Sequence, residues 1–198
     1  MMLEVPVHSA DKEQRFPLLT LEQLNNQQRP FADGILKVAS IGISGPFNML
    51  LRSPVMGKRM FAMLDYLRFN TSVPHKLNEF AILIQARLWT SQVAWTVHYP
   101  LALKAGLPQT VADELKVGKR PAAMQPDEAT VYEFCMDLAK DHVVSDATFK
   151  KARELFSDQQ IVDLIMVSGA YITLAMLSTT AEDAIPGGNT PPLRPLPT

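Results

Sequence analysis

Apolar side chains recur every three to four residues along most of this 198-residue chain, which is the spacing of amphipathic α-helices. The pattern predicts helices over about 54–68, 74–88, 91–106, 108–116 and 127–140, and two more that begin at Asp146 and Ser157. No stretch alternates apolar and polar residues as a half-buried strand does. The chain is therefore predicted to be all-α, a single-domain bundle of seven or eight helices.

The helix predicted over 74–88 differs from the others because it is apolar on almost every side. Leu77, Phe80 and Ile84 form one stripe, and Ile82 and Leu83 widen it. A helix with this pattern is normally surrounded by other elements. It is therefore predicted to lie at the centre of the bundle.

Proline and glycine mark the limits of the helical domain. Residues 1–19 contain prolines and no period, which predicts an extended arm, and residues 186–198 form a Pro-rich tail, a candidate strap on a neighbouring subunit. The domain itself is predicted to span 20–185. Inside it, residues 44–54 are predicted to be a loop packed under the body. A further helical stretch is predicted from Thr20 to about Ile35, and Pro30 is expected to break or kink it.

The charge balance excludes some classes of partner. The chain has 19 Lys and Arg against 20 Asp and Glu, a net charge of -1, so nothing favours binding to nucleic acid. The first residues lack the apolar core of a signal peptide, and no uninterrupted apolar stretch approaches the length of a membrane span. We therefore expect a cytoplasmic protein with neither nucleic acid nor membrane as a partner.

Cys135 is the single cysteine of the chain. It can form neither an intramolecular disulfide nor a CxxC redox pair, and it cannot supply a cysteine-rich zinc site. Cys135 shares a helical stripe with Val131, Phe134 and Leu138, so we expect a buried, unreactive thiol.

Two polar residues stand out because they interrupt the central apolar region. If a helix starts near Ser91, then Ser91, Ala94, Trp95 and His98 lie on one of its faces. Glu79 lies on the preceding apolar helix, where an unpaired carboxylate would be costly to bury. A contact between Glu79 and His98 would satisfy both groups, fix the imidazole tautomer and suit general acid–base chemistry.

Each of these residues also has an ordinary structural interpretation. His98 could be a core histidine bonded to a neighbour, and Glu79 could be an exposed acid in the first turn of its helix. Trp95 could be packing rather than a wall of a substrate site.

The segment from Glu79 to Gly106 resembles the carboxymuconolactone decarboxylase family, within the alkylhydroperoxidase D-like superfamily. The peroxidase branch has a Glu, a Cys twelve residues on, a second Cys three further and a His four further. Glu79, Ser91, Ala94 and His98 stand at those positions. The passage Gly45-Pro46-Phe47-Asn48, followed by Ser53-Pro54, is also similar to that family. The resemblance covers roughly residues 30–185.

The resemblance implies a helical protomer that assembles into trimers or hexamers, and cofactor-independent decarboxylation of a lactone as reference chemistry. His98 would deliver a proton and Glu79 would hold His98. Peroxide reduction is disfavoured because Ser91 and Ala94 replace the two thiols that it needs. The expected activity is therefore that of a lyase or isomerase on a small carboxylated molecule, with no cofactor and no metal.

An acidic substrate requires cationic partners, for which Arg87 and Arg52 are the candidates, since a guanidinium binds carboxylate in bidentate fashion. Either could equally form a surface ion pair. The predicted substrate-binding set is completed by Ser91, Trp95 and Asn48.

Two other functions stay open. A non-catalytic homologue could keep the fold and oligomer and only bind a ligand, and a closed pocket holding Glu79, His98 and an Arg would argue against it. A metal-dependent hydrolase ranks lowest, because His75 and His142 have no helical spacing to His98.

Overall fold

The computed structural model describes residues 15–188 and 191–196, and within these ranges the chain is helical and has no strand. The predicted all-α class is confirmed. The described α-helices are α1 (Arg29–Val38), α2 (Pro46–Leu50), α3 (Pro54–Asp65), α4 (His75–Leu88), α5 (Gln92–Lys104), α6 (Gln109–Lys116), α7 (Pro126–Met136), α8 (Asp146–Leu155) and α9 (Asp158–Ala181).

The described part of the chain thus holds nine helices, where seven or eight were predicted. The additional one is α2, in the passage predicted to be a loop. Pro46 starts it, since a first-turn proline loses no helical hydrogen bond, and Gly45 before it has φ 59°, in the left-handed region that favours glycine. Pro30 similarly occupies the first turn of α1 rather than breaking a longer helix.

Two predicted helices end in π-helical turns, whose backbone hydrogen bonds span five residues instead of four. Tyr66–Asn70 follows α3 and Asp137–Asp141 follows α7. Such turns are rare, and they occur frequently at functional sites.

Helix α4 lies at the centre, as predicted. Every residue from 77 to 87 is buried, and the helix contacts α5, α6, α7 and α9. Full burial of a large apolar side chain contributes about 1.5–3 kcal/mol each, so this helix anchors the core. Polar groups on α4 are consequently held away from water.

Helix α9 is the other long apolar element. The predicted start at Ser157 is confirmed, since Ser157 caps the helix: its hydroxyl accepts from the Gln160 amide at 3.2 Å, and the Gln160 side chain accepts from the Ser157 amide at 2.9 Å. Contrary to the expectation from sequence, α9 is long and apolar enough to cross a membrane by length and composition. More than half of its most apolar stretch is nevertheless buried in the bundle, as in the core helix of a globular domain.

The described part of the C-terminal tail docks on its own protomer, whereas a strap on a neighbouring subunit was the candidate. Leu193 is buried, and its backbone N–H and C=O bond to the side chain of Gln92 at 3.0 and 2.8 Å. Residues 1–14, most of the predicted arm, lie outside the described residues.

Candidate active site

The predicted contact between the two central polar side chains is confirmed. His98 Nδ1 lies 2.7 Å from Glu79 Oε2, across the interface of α4 and α5. Glu79 is 1% exposed and His98 is 4% exposed. A buried carboxylate that close to a ring nitrogen accepts a hydrogen bond from it, so we assign the proton to Nδ1. Nε2 is then the nitrogen available for acid–base chemistry.

Tyr171 completes a three-residue relay. Its hydroxyl oxygen lies 3.0 Å from His98 Nε2, and the two rings meet edge to face with centroids 4.9 Å apart. In the assigned tautomer the Tyr171 hydroxyl donates to Nε2. Burial raises the pKa of Tyr171, with a smaller raising effect from Glu79 opposed by Arg68, so the phenol keeps its proton at neutral pH.

Sequence reasoning missed Tyr171. It lies 73 residues beyond His98 on α9, and its spacing on that helix is that of an ordinary core residue. The available signal was chemical: a tyrosine on the buried face of an apolar helix needs a partner for its hydroxyl. That signal does not say which partner.

A cavity of about 40 Å³ adjoins the relay. Its lining is mostly apolar, and the polar side chains in it are Ser40, Arg68, Ser91, His98, Tyr171 and Ser178. Drug-sized pockets measure roughly 300–1,000 Å³, so in this conformation the cavity suits a molecule of a few heavy atoms. A second cavity, of about 410 Å³, is adjacent to the first and shares Ser40 and Ile41 with it.

The turn between α4 and α5 places Ser91 and Ala94 at the cavity. The Ser91 amide bonds to the Ala86 carbonyl at 2.8 Å, and Thr90 has φ 49°, which a β-branched residue rarely adopts. Ser91 and Ala94 both line the cavity. Trp95 is buried in the core and packs against Tyr99 with ring centroids 5.7 Å apart. This position agrees with a packing role for Trp95 and not with a wall of the cavity.

The predicted anion-binding arginines lie elsewhere. Arg87 is 2% exposed and donates to the Arg194 carbonyl at 2.7 Å, so it holds the tail rather than facing His98. Arg52 donates to the carbonyl and side-chain oxygens of Asn48 at 2.8 and 2.9 Å and also bonds to the Pro17 carbonyl. Neither arginine lines the cavity beside the relay.

Asn48 has a structural task as well. Its side-chain oxygen accepts from the Leu19 amide and its side-chain nitrogen donates to the Leu19 carbonyl, both at 3.0 Å. It therefore fastens the segment before α1 to α2 and does not line the cavity.

The arginine that does line the cavity is Arg68, which sequence reasoning missed. It belongs to the π-helical turn after α3, where the change of helical period removes the regular spacing that a sequence pattern depends on. The cavity thus brings together Arg68, Ser91, His98 and Tyr171, with Glu79 behind the histidine.

Within residues 15–188 and 191–196, no three or more His, Cys, Asp or Glu side chains cluster as metal ligands would. Cys135 is 1% exposed and contacts the Ser168 hydroxyl at 3.6 Å. Burial raises the pKa of its thiol to about 11, so at neutral pH it is not a thiolate. The predicted unreactive environment of Cys135 is confirmed.

Two solved structures are similar over most of their length. The alkylhydroperoxidase core of an uncharacterised peroxidase-related protein from Ralstonia eutropha matches with a TM-score of 0.73 and 19% identity, over 90% of this chain and 97% of that one. The chain has the alkylhydroperoxidase D-like fold. A protein of unknown function from Agrobacterium tumefaciens, named for antioxidant defence, shares this fold with a TM-score of 0.63 and 18% identity, over 72% of this chain and 99% of that one.

At these identities the alkylhydroperoxidase D-like fold is shared, and the chemistry has to be argued from the site. No protein-family profile matches the chain. No curated protein matches it in sequence either.

Proposed function

We propose that this protein is a cofactor-independent lyase or isomerase that uses Glu79, His98 and Tyr171 for acid–base chemistry on a small carboxylated molecule. One observation carries the proposal: both ring nitrogens of a buried histidine are held, Nδ1 at 2.7 Å by a carboxylate and Nε2 at 3.0 Å by a phenol that lines a cavity. The resemblance of residues 79–106 to carboxymuconolactone decarboxylases supports the same reaction class.

In this mechanism Tyr171 exchanges protons with the substrate and His98 balances the change. When a carbon is deprotonated, the Tyr171 hydroxyl passes its proton to His98 Nε2 and its oxygen takes the substrate proton. Quenching of a carbanion, as after loss of carbon dioxide, starts from the imidazolium, which forms when His98 takes up a proton that comes from water. Tyr171 then gives its hydroxyl proton to the carbon and takes the proton of His98 Nε2 in its place, which returns the neutral pair. Glu79 stabilises the imidazolium that forms transiently.

The direct test is turnover. The purified protein is incubated with γ-carboxymuconolactone and carbon dioxide release is followed, alongside His98→Ala, Glu79→Gln and Tyr171→Phe. Loss of a general acid or base is expected to reduce the rate by about 10²–10⁴-fold. His75→Ala is the matched control, because His75 is exposed at the start of α4 and away from the cavity, and should keep full activity.

Two results would contradict the proposal. One is release of carbon dioxide, or isomerisation, at the same rate in the wild type and in His98→Ala. The other is reduction of an organic peroxide by the wild type with a dithiol donor, lost in Cys135→Ser, which would replace acid–base chemistry with thiol chemistry.

A non-catalytic ligand-binding role is the second candidate, and one observation favours it. Both nitrogens of His98 are already satisfied inside the protein, and the cavity beside it is small, so the site is stable without a substrate. Two measurements separate the two functions. A binding protein should retain a small molecule in native mass spectrometry, and in the turnover assay the wild type and all three variants should be equally inactive.

We further propose that the protein is a homo-oligomer. Exposed apolar side chains follow one side of α9 at helical spacing, namely Val162, Ile165, Met166 and Met176. Such a stripe suits contact with another copy of the chain. Light scattering should give a mass of three or six protomers, and a monomer at micromolar concentration would contradict this.

A further inference from the structure

The cavity beside the relay has a distinct charge pattern. Among the described residues that line it, Arg68 is the one permanently charged side chain, and no Asp or Glu is present. Glu182 and Asp183 line the larger neighbouring cavity, on the far side of Ser40 and Ile41. The inner cavity therefore carries one positive charge, whereas in the neighbouring cavity Glu182 is paired with Arg15 at 2.9 Å and burial raises the pKa of Asp183.

The guanidinium of Arg68 is poorly satisfied within the protein. Its Nε is buried and has no hydrogen-bond partner among the described residues, and no described carboxylate forms a salt bridge with it. The ring of Phe69 lies 5.0 Å from its central carbon, which is a weaker interaction than a charged hydrogen bond. A buried donor left unpaired in this way destabilises the fold unless a ligand uses it.

The backbone that carries Arg68 is held firmly on both sides. The carboxylate of Asp163 accepts hydrogen bonds from the Tyr66 hydroxyl at 3.0 Å, from the Thr71 hydroxyl at 3.1 Å and from the Ser72 amide at 2.9 Å. Although burial favours the neutral acid, these bonds hold the pKa of Asp163 below its usual value.

On the other side of Arg68, the Leu67 carbonyl accepts from the Asn78 side chain at 3.0 Å. The π-helical turn is thus tied to α4 as well as to α9. A charged group on so constrained a segment is pre-organised. Binding and catalytic sites require such pre-organisation, whereas a solvated surface charge does not.

From this geometry we propose that Arg68 is the anion-binding residue of the cavity and seats the carboxylate of a small substrate, with the reacting carbon facing the Tyr171 hydroxyl. The inference rests on the proposed function, because it names the residue that binds the substrate carboxylate in that same site.

The test measures binding separately from turnover. Propionate and its uncharged isostere propionamide are titrated into the protein and their affinities are measured by ligand-observed NMR. Propionate should bind and propionamide should bind at least about tenfold more weakly, as expected for loss of a charged hydrogen bond. Arg68→Gln should remove this preference, and Arg68→Lys should retain part of it because the charge stays but the planar fork is lost.

The control variant is Arg59→Gln, which removes the same charge from an exposed position on α3 and should bind propionate as the wild type does. Arg68→Gln should fold, because no described salt bridge is lost, and its thermal unfolding is measured first. If it does not fold, Arg68→Lys decides. Equal affinity of the wild type for the two ligands would overturn the inference. So would a preference for propionate in Arg68→Gln as large as in the wild type or, where Arg68→Gln does not fold, a preference in Arg68→Lys as large as in the wild type.

The two proposals fail in different ways. If propionate binds through Arg68 but no variant or wild type turns over any carboxylated lactone, the anion site stands and the acid–base function falls. If His98-dependent turnover is found and Arg68→Gln leaves KM and kcat unchanged, the acid–base function stands and the anion site falls.

Discussion

Breaking the contact between Glu79 and His98 should be among the most destabilising single changes in the protein. His98→Ala leaves the Glu79 carboxylate buried without the N–H donor that lies 2.7 Å away, and an uncompensated buried charge costs about 3–5 kcal/mol. The Tyr171 hydroxyl also loses its acceptor, which adds about 1 kcal/mol. We therefore expect about 4–6 kcal/mol, a large part of the free energy of unfolding of an ordinary domain.

The double-mutant cycle separates this cause from the simple loss of packing. Glu79→Gln alone should cost about 1–3 kcal/mol, because a neutral amide replaces the acceptor. The double variant Glu79→Gln/His98→Ala should be more stable than the sum of the single effects predicts, by about 1–3 kcal/mol, since a buried amide needs its partner less than a buried carboxylate does.

Urea unfolding followed by far-ultraviolet circular dichroism gives these free energies, measured at several protein concentrations so that any association is visible. His75→Ala is the control and should fall within about 0.5 kcal/mol of the wild type. If His98→Ala costs less than about 1 kcal/mol, or if the single effects add to within about 0.5 kcal/mol, Glu79 and His98 are not an energetically coupled buried pair.

Three further predictions concern other parts of the structure. Asp163→Asn should cost about 1.5–3 kcal/mol at pH 7. Because the folded carboxyl has a lowered pKa, its contribution is present above the ordinary value of about 3.9 and is lost as the pH falls through the folded value, so urea unfolding from pH 7 to pH 3 should show wild type and variant converging. The Cys135 thiol, with its pKa raised to about 11 by burial, should react with a disulfide reagent at pH 8 only after unfolding, and rapid reaction of the folded protein would contradict its burial. Gly57→Ala should cost about 1–3 kcal/mol, because the added carbon would meet the Leu50 carbonyl oxygen at 2.7 Å inside the bundle; an unchanged melting curve would show that α3 can shift.

Much of the site could be predicted without coordinates, and the reason is local. Helical periodicity in the sequence places Glu79 among apolar residues. It also places Ser91, Ala94 and His98 on one face of their helix. A buried carboxylate on one helix and an imidazole on the next left few ways for both to be satisfied. The pairing of Glu79 with His98 was therefore predictable, as was the central place of α4.

The misplaced residues show where that reasoning stops. Arg87, Arg52 and Asn48 have side chains suited to a substrate, but the folded chain uses all three to hold its own backbone segments. Whether a polar side chain meets a ligand or a distant carbonyl depends on which segment lies beside it. Periodicity assigns a residue to a face of its helix and says nothing about what covers that face.

The sequence by itself therefore determined the all-helical class, the central helix and the buried acid–imidazole pair. Only the tertiary structure decided that Tyr171 of α9 holds the second nitrogen of His98 and that Arg68 is the cation of the cavity. Tyr171 lies 73 residues beyond His98, and Arg68 lies on a π-helical turn that precedes α4. Contacts of that kind depend on how helices cross, and side chains from all of them fix the crossing together.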